Sequence, residues 1–318
     1  MVEIGFKLAS EVFGPLELVH YAELAEKAGF DFASISDHYH PWISSQGNSP
    51  FVWSTLGAIS QVTEDLGLMT GVTCPTIRQH PALVAQAVAT ITSMMPGRFI
   101  FGVGSGENLN EHIYGDHWPP APIRIDMLTE AVDVIRTLWQ GGMQDYEGYY
   151  YHVENAQIYT LPEELPPIYM AADGPIAATA AGNNGDGLIV SGGKKELLDI
   201  FKKTGGKDKP SYSEISISWA ETEKKAMDLV YKYWPLMVIK GSLSWDIPTQ
   251  THFEELVKNA RKEDIPGRMP CGPDPQVHID KIKKNIDAGF DRICIQQIGN
   301  NQEEFIEFCK EEVLPEVH

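Results

Sequence analysis

Asp37, His38, His40 and Trp42 stand together in Ser36-Asp-His-Tyr-His-Pro-Trp42, directly behind the apolar run Phe32-Ala33-Ser34-Ile35. An imidazole moves protons near neutral pH, a carboxylate holds or orients a donor, and an indole walls an apolar pocket. A second group is Phe101-Gly102-Val103-Gly104-Ser105-Gly106-Glu107-Asn108. Its glycines let the backbone approach a flat ring or a phosphate, and Glu107 offers another proton-transfer carboxylate. Both groups have a plainer reading, as loop caps and as an ordinary Gly-rich turn. The dinucleotide fingerprint is absent, because Leu109 stands where Gly104-Ser-Gly106 requires a third glycine, and no Walker A lysine follows.

Three more segments place small or polar residues after an apolar run: Thr70-Gly71-Val72-Thr73-Cys74-Pro75-Thr76, Ala171-Ala172-Asp173-Gly174-Pro175 and Ser191-Gly192-Gly193-Lys194-Lys195. The first reads either as a site segment or as a Pro-terminated strand. The second opens a helix, whose free amides favour an anion. The lysines of the third either meet an anionic group or face solvent.

The elements that must position these groups alternate strand and helix. Strands are predicted at Val2–Leu8, Phe32–Ser36, Leu66–Val72, Arg98–Val103, Ile168–Ala171, Gly187–Val190, Ile215–Trp219 and Arg292–Ile295. Helices are predicted at Leu16–Ala28, Phe51–Thr63, Leu83–Met94, Met127–Trp139, Ile176–Gly182, Lys195–Lys203, Glu223–Trp234, Val277–Ala288 and Gln302–Val313. Eight such repeats predict an α/β chain closed as a (β/α)8 TIM barrel, one decorated domain over residues 1–318. In that fold chemistry is housed at the carboxyl ends of the strands, where all five segments fall. Insertions are expected near 107–123, 144–167 and 235–275. The middle one, with Tyr149-Tyr150-Tyr151, reads as a hairpin.

The net charge of -19 excludes nonspecific nucleic-acid or anionic-membrane binding, which needs a basic surface. Cys74, Cys271, Cys294 and Cys309 form no Cys-x-x-Cys pair, so neither zinc nor a disulfide framework is expected, and reduced thiols fit a cytoplasmic protein. No metal is expected. Strand-like sequence from Val2 leaves no room for a signal peptide, and no apolar run is long enough for a membrane helix.

Several stretches together carry a family resemblance: Ser36-Asp-His-Tyr-His-Pro-Trp42, Pro75-Thr-Ile-Arg-Gln-His-Pro81, Val84-Ala-Gln-Ala87, Pro96-Gly-Arg98, Gly102-Val-Gly-Ser-Gly-Glu-Asn-Leu-Asn-Glu111 and Ala172-Asp-Gly-Pro175. The chain resembles the luciferase-like superfamily. Within it, it is similar to the branch that uses the deazaflavin coenzyme F420, the glucose-6-phosphate and secondary alcohol dehydrogenases. The resemblance implies an F420-dependent oxidoreductase transferring hydride to or from a small alcohol, carbonyl or sugar-phosphate substrate, in a homodimer. It makes His38 the general base, Trp42 a holder of the developing alkoxide and Glu107 a second proton-transfer group. Asp37, Gly71, Val72, Cys74, Gly106 and Ala171 to Pro175 (Ala171, Ala172, Asp173, Gly174, Pro175) become cofactor contacts, with a non-proline cis peptide at Gly71–Val72. Ser191, Lys194, Arg268 and Trp219 become substrate contacts; Lys194 and Arg268 match two phosphate-gripping positions. A third falls within Gly241-Ser-Leu-Ser-Trp245, which lacks a lysine although Lys240 is close by. An FMN-dependent monooxygenase or a non-catalytic deazaflavin-binding protein would share this barrel, and the pairing of His38 with Glu107 argues against both.

Overall fold

The computed structural model describes residues 2–238, 243–265 and 267–318. The eight barrel strands are β1 (Glu3–Leu8), β2 (Phe32–Ile35), β3 (Gly67–Thr70), β4 (Phe99–Val103), β7 (Ile168–Ala171), β8 (Gly187–Ser191), β9 (Ser211–Ile217) and β10 (Arg292–Gln297). They close in the order β1-β10-β9-β8-β7-β4-β3-β2, every pair parallel. Helices α1 (Pro15–Ala28), α2 (Val52–Ile59) and α3 (Pro81–Met94) follow the first three strands. After β4 come the single turn α4 (Asn108–Glu111) and α5 (Ala121–Leu138). The later strands carry α6 (Pro175–Asn184), α7 (Lys195–Phe201), α8 (Glu223–Tyr233), α9 (Gln250–Val257) and α10 (Pro275–Ala288), and α11 (Gln302–Phe308) and α12 (Leu314–Val317) end the chain.

Local chemistry sets the helix ends. Proline opens α1, α3, α6 and α10 at a position whose N–H would have no helical partner. Gly29 and Gly289 close α1 and α10 in the left-handed conformation that glycine adopts without penalty. The expected Gln302–Val313 helix instead changes to π geometry over Cys309–Val313 before α12.

Alternation along the strands sorts the core. Ile4, Phe6, Leu8, Phe99, Phe101, Val103, Ile215 and Ile217 face the helices in the main cluster. Phe32, Met69, Ile100, Tyr169, Ile189, Tyr212 and Cys294 plug the lumen. Above the plug the inward residues are Lys7, Ser34, Gly71, Gly102, Ala171, Ser191, Glu214 and Gln296, so small or polar side chains leave space at the mouth.

Two boundaries differ instructively from expectation. Strand β9 starts at Ser211 rather than Ile215, because its polar positions are satisfied: Ser211 N and Oγ donate to Asp291 Oδ2 at 2.8 Å, and Ser213 Oγ donates to Asn285 Oδ1 at 2.9 Å. Strand β3 stops at Thr70, freeing Gly71 and Val72 to form backbone at the mouth. The middle insertion is the antiparallel hairpin β5 (Gln144–Glu147) and β6 (His152–Ala156).

Candidate active site

The loop after β2 is built around Asp37, which is buried. Its Oδ1 accepts from Arg78 Nη2 at 3.0 Å, and its Oδ2 accepts from Thr73 Oγ1 and Gln79 Nε2, both at 2.8 Å. This carboxylate is therefore engaged by the protein itself, and it fixes the start of the His38 loop. Arg78 is shared: its backbone N–H donates to Glu111 Oε2 at 2.8 Å, and its Nε lies 3.5 Å from Glu111 Oε1. Burial pushes the Glu111 carboxyl up to about 7 against the pull of Arg78. Burial alone would ease the proton off Arg78, but Asp37 and Glu111 outweigh it and raise the guanidinium above its ordinary value. Cys74 is held well above the usual thiol range, first by burial and then by Glu111 and Glu107, so it is a neutral thiol rather than a nucleophile.

Asn110 ties the two sequence motifs together. Its Oδ1 accepts from Tyr39 N at 2.9 Å and His40 N at 3.0 Å, and His40 Nδ1 donates to Leu109 O at 3.0 Å. Glu107, half-buried at the start of α4, is thereby held on the same loop cluster as His38, its side chain making no capping bond.

His38 Nδ1 donates to His40 O at 3.3 Å, so in the neutral ring it is Nε2 that carries the lone pair. That Nε2 lies 3.6 Å from Glu11 Oε1, with both side chains largely buried. Glu11 Oε2 is buried without a hydrogen-bond partner among the described residues, an orphan that calls for a donor. The Trp42 ring lies 5.2 Å from the His38 ring and meets Phe253 of α9 edge-on at 5.3 Å. An imidazole flanked by an indole and a carboxylate can take a proton and have the resulting charge stabilised.

The floor of the mouth is Gly71–Val72, whose peptide is cis. Lys7 Nζ donates to Gly71 O at 2.7 Å and pairs with Glu214 Oε2 at 2.9 Å. Burial alone would lower the Lys7 pKa, but Glu214, with Cys294 and Glu11, more than compensates, so the amine is charged. Val72 Cγ2 fills the place of a side chain at Gly104, 2.6 Å from where a Cβ would stand. The rim at α6 is open: its cap residue Gly174 brings no side chain to the first-turn amides, and a Cβ there would meet nothing within 4 Å. A glycine-lined floor, an orphaned carboxylate oxygen and an uncapped helix start fit a flat ring with an anionic tail.

The third insertion straps this mouth. Trp245 Nε1 donates to Asp173 Oδ2 at 3.3 Å, and Lys194 Nζ pairs with Asp173 Oδ1. Asp246 accepts at O from Asn108 Nδ2 at 2.9 Å and at Oδ1 from Trp118 Nε1 at 3.0 Å. Gln250 Nε2 reaches Pro41 O at 3.1 Å, and Glu254 Oε1 accepts from Ser44 N at 3.2 Å.

Not every expected site residue gathers here. Trp219 continues the outward parity of Ile215 and Ile217 and stacks on Phe308 of α11, centroids 5.1 Å apart. It belongs to the helix layer, which corrects its expected place in the substrate pocket. Ser191, two residues beyond inward Ile189 and in register with Glu214, does reach the mouth and is exposed there, whereas Arg268 is exposed on the turn after Ile265. Lys240, Gly241 and Ser242 lie outside the described residues. Conversely, sequence reasoning missed Lys7, Glu11, Arg78, Gln79, Asn110 and Glu111. Glu11 had a signal of the same kind as the others, a carboxylate just past a strand end at Ala9-Ser10-Glu11. The others act through partners far along the chain, and their spacing announces nothing. Among the described residues no cluster of three or more His, Cys, Asp or Glu could hold a metal ion, and no helix is long and apolar enough to cross a membrane.

A closed parallel barrel with an imidazole, an indole and carboxylates gathered at its carboxyl-end mouth is the architecture of a TIM-barrel enzyme. The chain belongs to the luciferase-like monooxygenase family, which matches residues 3–292. It is 35% identical to an F420-dependent glucose-6-phosphate dehydrogenase of Microbacterium testaceum, over 99% of this chain and 97% of that one. A protein of the same description from Nocardia farcinica is likewise 35% identical over 99% of this chain and 97% of its own. A solved F420-dependent secondary alcohol dehydrogenase, in complex with an F420-acetone adduct, superposes with a TM-score of 0.92 at 28% identity, over 100% of this chain and 99% of that chain.

Proposed function

We propose that this chain is a coenzyme F420-dependent oxidoreductase that moves hydride between an alcohol-type carbon and the deazaflavin, with His38 as general base. The observation that carries the reading is His38 itself. Its Nδ1 is committed to His40 O, its Nε2 lies 3.6 Å from Glu11 Oε1, and its ring packs beside Trp42. When bound, the deazaflavin supplies a two-electron hydride acceptor. The alcohol O–H proton passes to His38 Nε2 as the C–H hydride leaves, and Glu11 stabilises the imidazolium. Trp42 and Phe253 exclude water from one side, and the Trp42 indole holds the developing alkoxide. Glu107 serves as the second proton-transfer group. Gly71, Val72, Cys74, Gly106 and the Ala171 to Pro175 turn would hold the cofactor, with α6 amides toward its anionic tail. Asp37 acts by holding the loop.

The substrate we favour is an uncharged alcohol or carbonyl. Lys194 is already paired with Asp173, Lys7 with Glu214, and Arg78 with Asp37 and Glu111, so of the two expected phosphate-gripping positions Lys194 is occupied and Arg268 would have to act without it. The likeness to glucose-6-phosphate dehydrogenases supports a sugar phosphate as second reading. The protein is proposed to work in the cytoplasm as a homodimer joined through α2 and α3.

The test combines binding and turnover. F420 should bind saturably and FMN should not; FMN binding alone would favour a monooxygenase. Oxidation of isopropanol should bleach bound F420 faster than oxidation of glucose 6-phosphate. His38→Ala should keep cofactor affinity within a few-fold and lose at least ~10²-fold in turnover, the usual worth of a general base. Unchanged turnover would remove His38 from that role, and F420 binding without turnover on any alcohol would leave a binding protein.

A further inference from the structure

We infer that Lys7 is a positioning residue: its ammonium anchors the Gly71 carbonyl and thereby sets the height of Val72, the surface against which a bound ring rests. The inference builds on the F420 reading of the mouth. Lys7 lies inside the barrel with only 4% of its side chain exposed, above a plug of aromatic and aliphatic residues. A buried ammonium is costly, and a methionine would fill the same space at no electrostatic cost. What the lysine adds is a donor aimed upward: Nζ donates to Gly71 O at 2.7 Å while Glu214 Oε2 balances its charge at 2.9 Å.

The surroundings are cut to this arrangement. A side chain at Gly71 would overlap Ser34 Oγ and come within 3.0 Å of Lys7 Nζ, so the glycine and the lysine fit as a pair. Immediately above, Val72 Cγ2 occupies the space left by Gly104. The carbonyl is thus pulled down into the lumen and the valine held against Gly104. Loss of the donor lets the Gly71–Val72 segment rise or turn. A shift well under an ångström there is enough to spoil ring binding and hydride alignment.

The experiment separates positioning from charge balance. Lys7→Met alone strands Glu214, so the informative protein is the double variant Lys7→Met/Glu214→Gln, which restores neutrality. Its thermal midpoint should return close to wild type. Its F420 affinity, read by fluorescence titration, should stay at least ~10-fold weaker, the worth of one hydrogen bond from a charged donor. Glu214→Gln alone strands the Lys7 ammonium just as Lys7→Met strands Glu214, so wild type is the reference for the double variant. Hydrogen exchange of residues 71–74 reads the floor without ligand, and should be at least ~10-fold faster in the double variant than in wild type. If the double variant binds F420 like wild type, or exchanges at the same rate, Lys7 is only a charge partner and the inference is overturned. A wild-type protein that fails to bind F420 would sink the functional reading, and the exchange rates would still decide the role of Lys7.

Discussion

Glu111 and Asp37 lean on one guanidinium, and this sharing gives the site a pH signature at the level of a single residue. Burial raises the folded-state pKa of Glu111 from the ordinary 4.5 to about 7. Between those values the native protein holds a proton that the unfolded chain has released, so stability falls as pH rises through that window. Glu111→Gln, which keeps the acceptor for Arg78 N but cannot ionise, should flatten this fall. Calorimetric midpoints from pH 5 to 8 check it, and parallel curves for variant and wild type would assign the slope elsewhere. At this scale the sequence was informative where chemistry is local. His38, Trp42 and Glu107 stand in short polar runs after apolar ones. Asn110 and Glu111 appeared there only as letters of a motif, because their partners Tyr39, His40 and Arg78 are between 33 and 71 residues away.

Elements decide how the mouth is covered. The third insertion binds the loop after β2 through Gln250 and Glu254, the α4 region through Asp246, and the loop after β7 through Trp245. Asp173 is the knot at the far end, since it holds both Trp245 and Lys194. Asp173→Ala frees that lysine and should raise the ratio of kcat/KM for glucose 6-phosphate over isopropanol by at least ~5-fold, mainly through a lower KM for the phosphate. An unchanged ratio would show that the pair does not guard the pocket against anions. The regular helices and the barrel strands were legible because period 3.6 and apolar runs persist over many residues. The strap was not: α9 and the 3₁₀ turns around it are too short for periodicity to register, and their placement depends on contacts such as Phe253 with Trp42. Strand β9 was read short for a related reason, since its serines are satisfied by hydrogen bonds they donate to the distant Asp291 and Asn285.

For the whole molecule the charge of -19 makes self-association hard everywhere except where charge is missing. Neither α2 nor α3 contains an Asp, Glu, Lys or Arg, and together they present exposed Leu83 and Met94 around a shallow cavity of about 210 Å³ lined by Gly57, Ala87 and Thr90. Small residues there would let helices of a second copy approach closely. Sedimentation should find a dimer for wild type and a monomer for Ala87→Glu, which places two carboxylates face to face; a monomeric wild type or a dimeric variant would refute this interface. The order of elements, the barrel and the strand ends that carry chemistry were determined by sequence alone, because side-chain periodicity and turn residues act within a few positions of themselves. Only the tertiary structure decided that Glu11 stands beside His38, that Trp219 turns outward, that Lys194 is occupied by Asp173 and that Lys7 rises beneath Gly71. Each of these depends on strand parity, closure of the barrel or a contact between distant segments, and such distances exist only once the chain has folded.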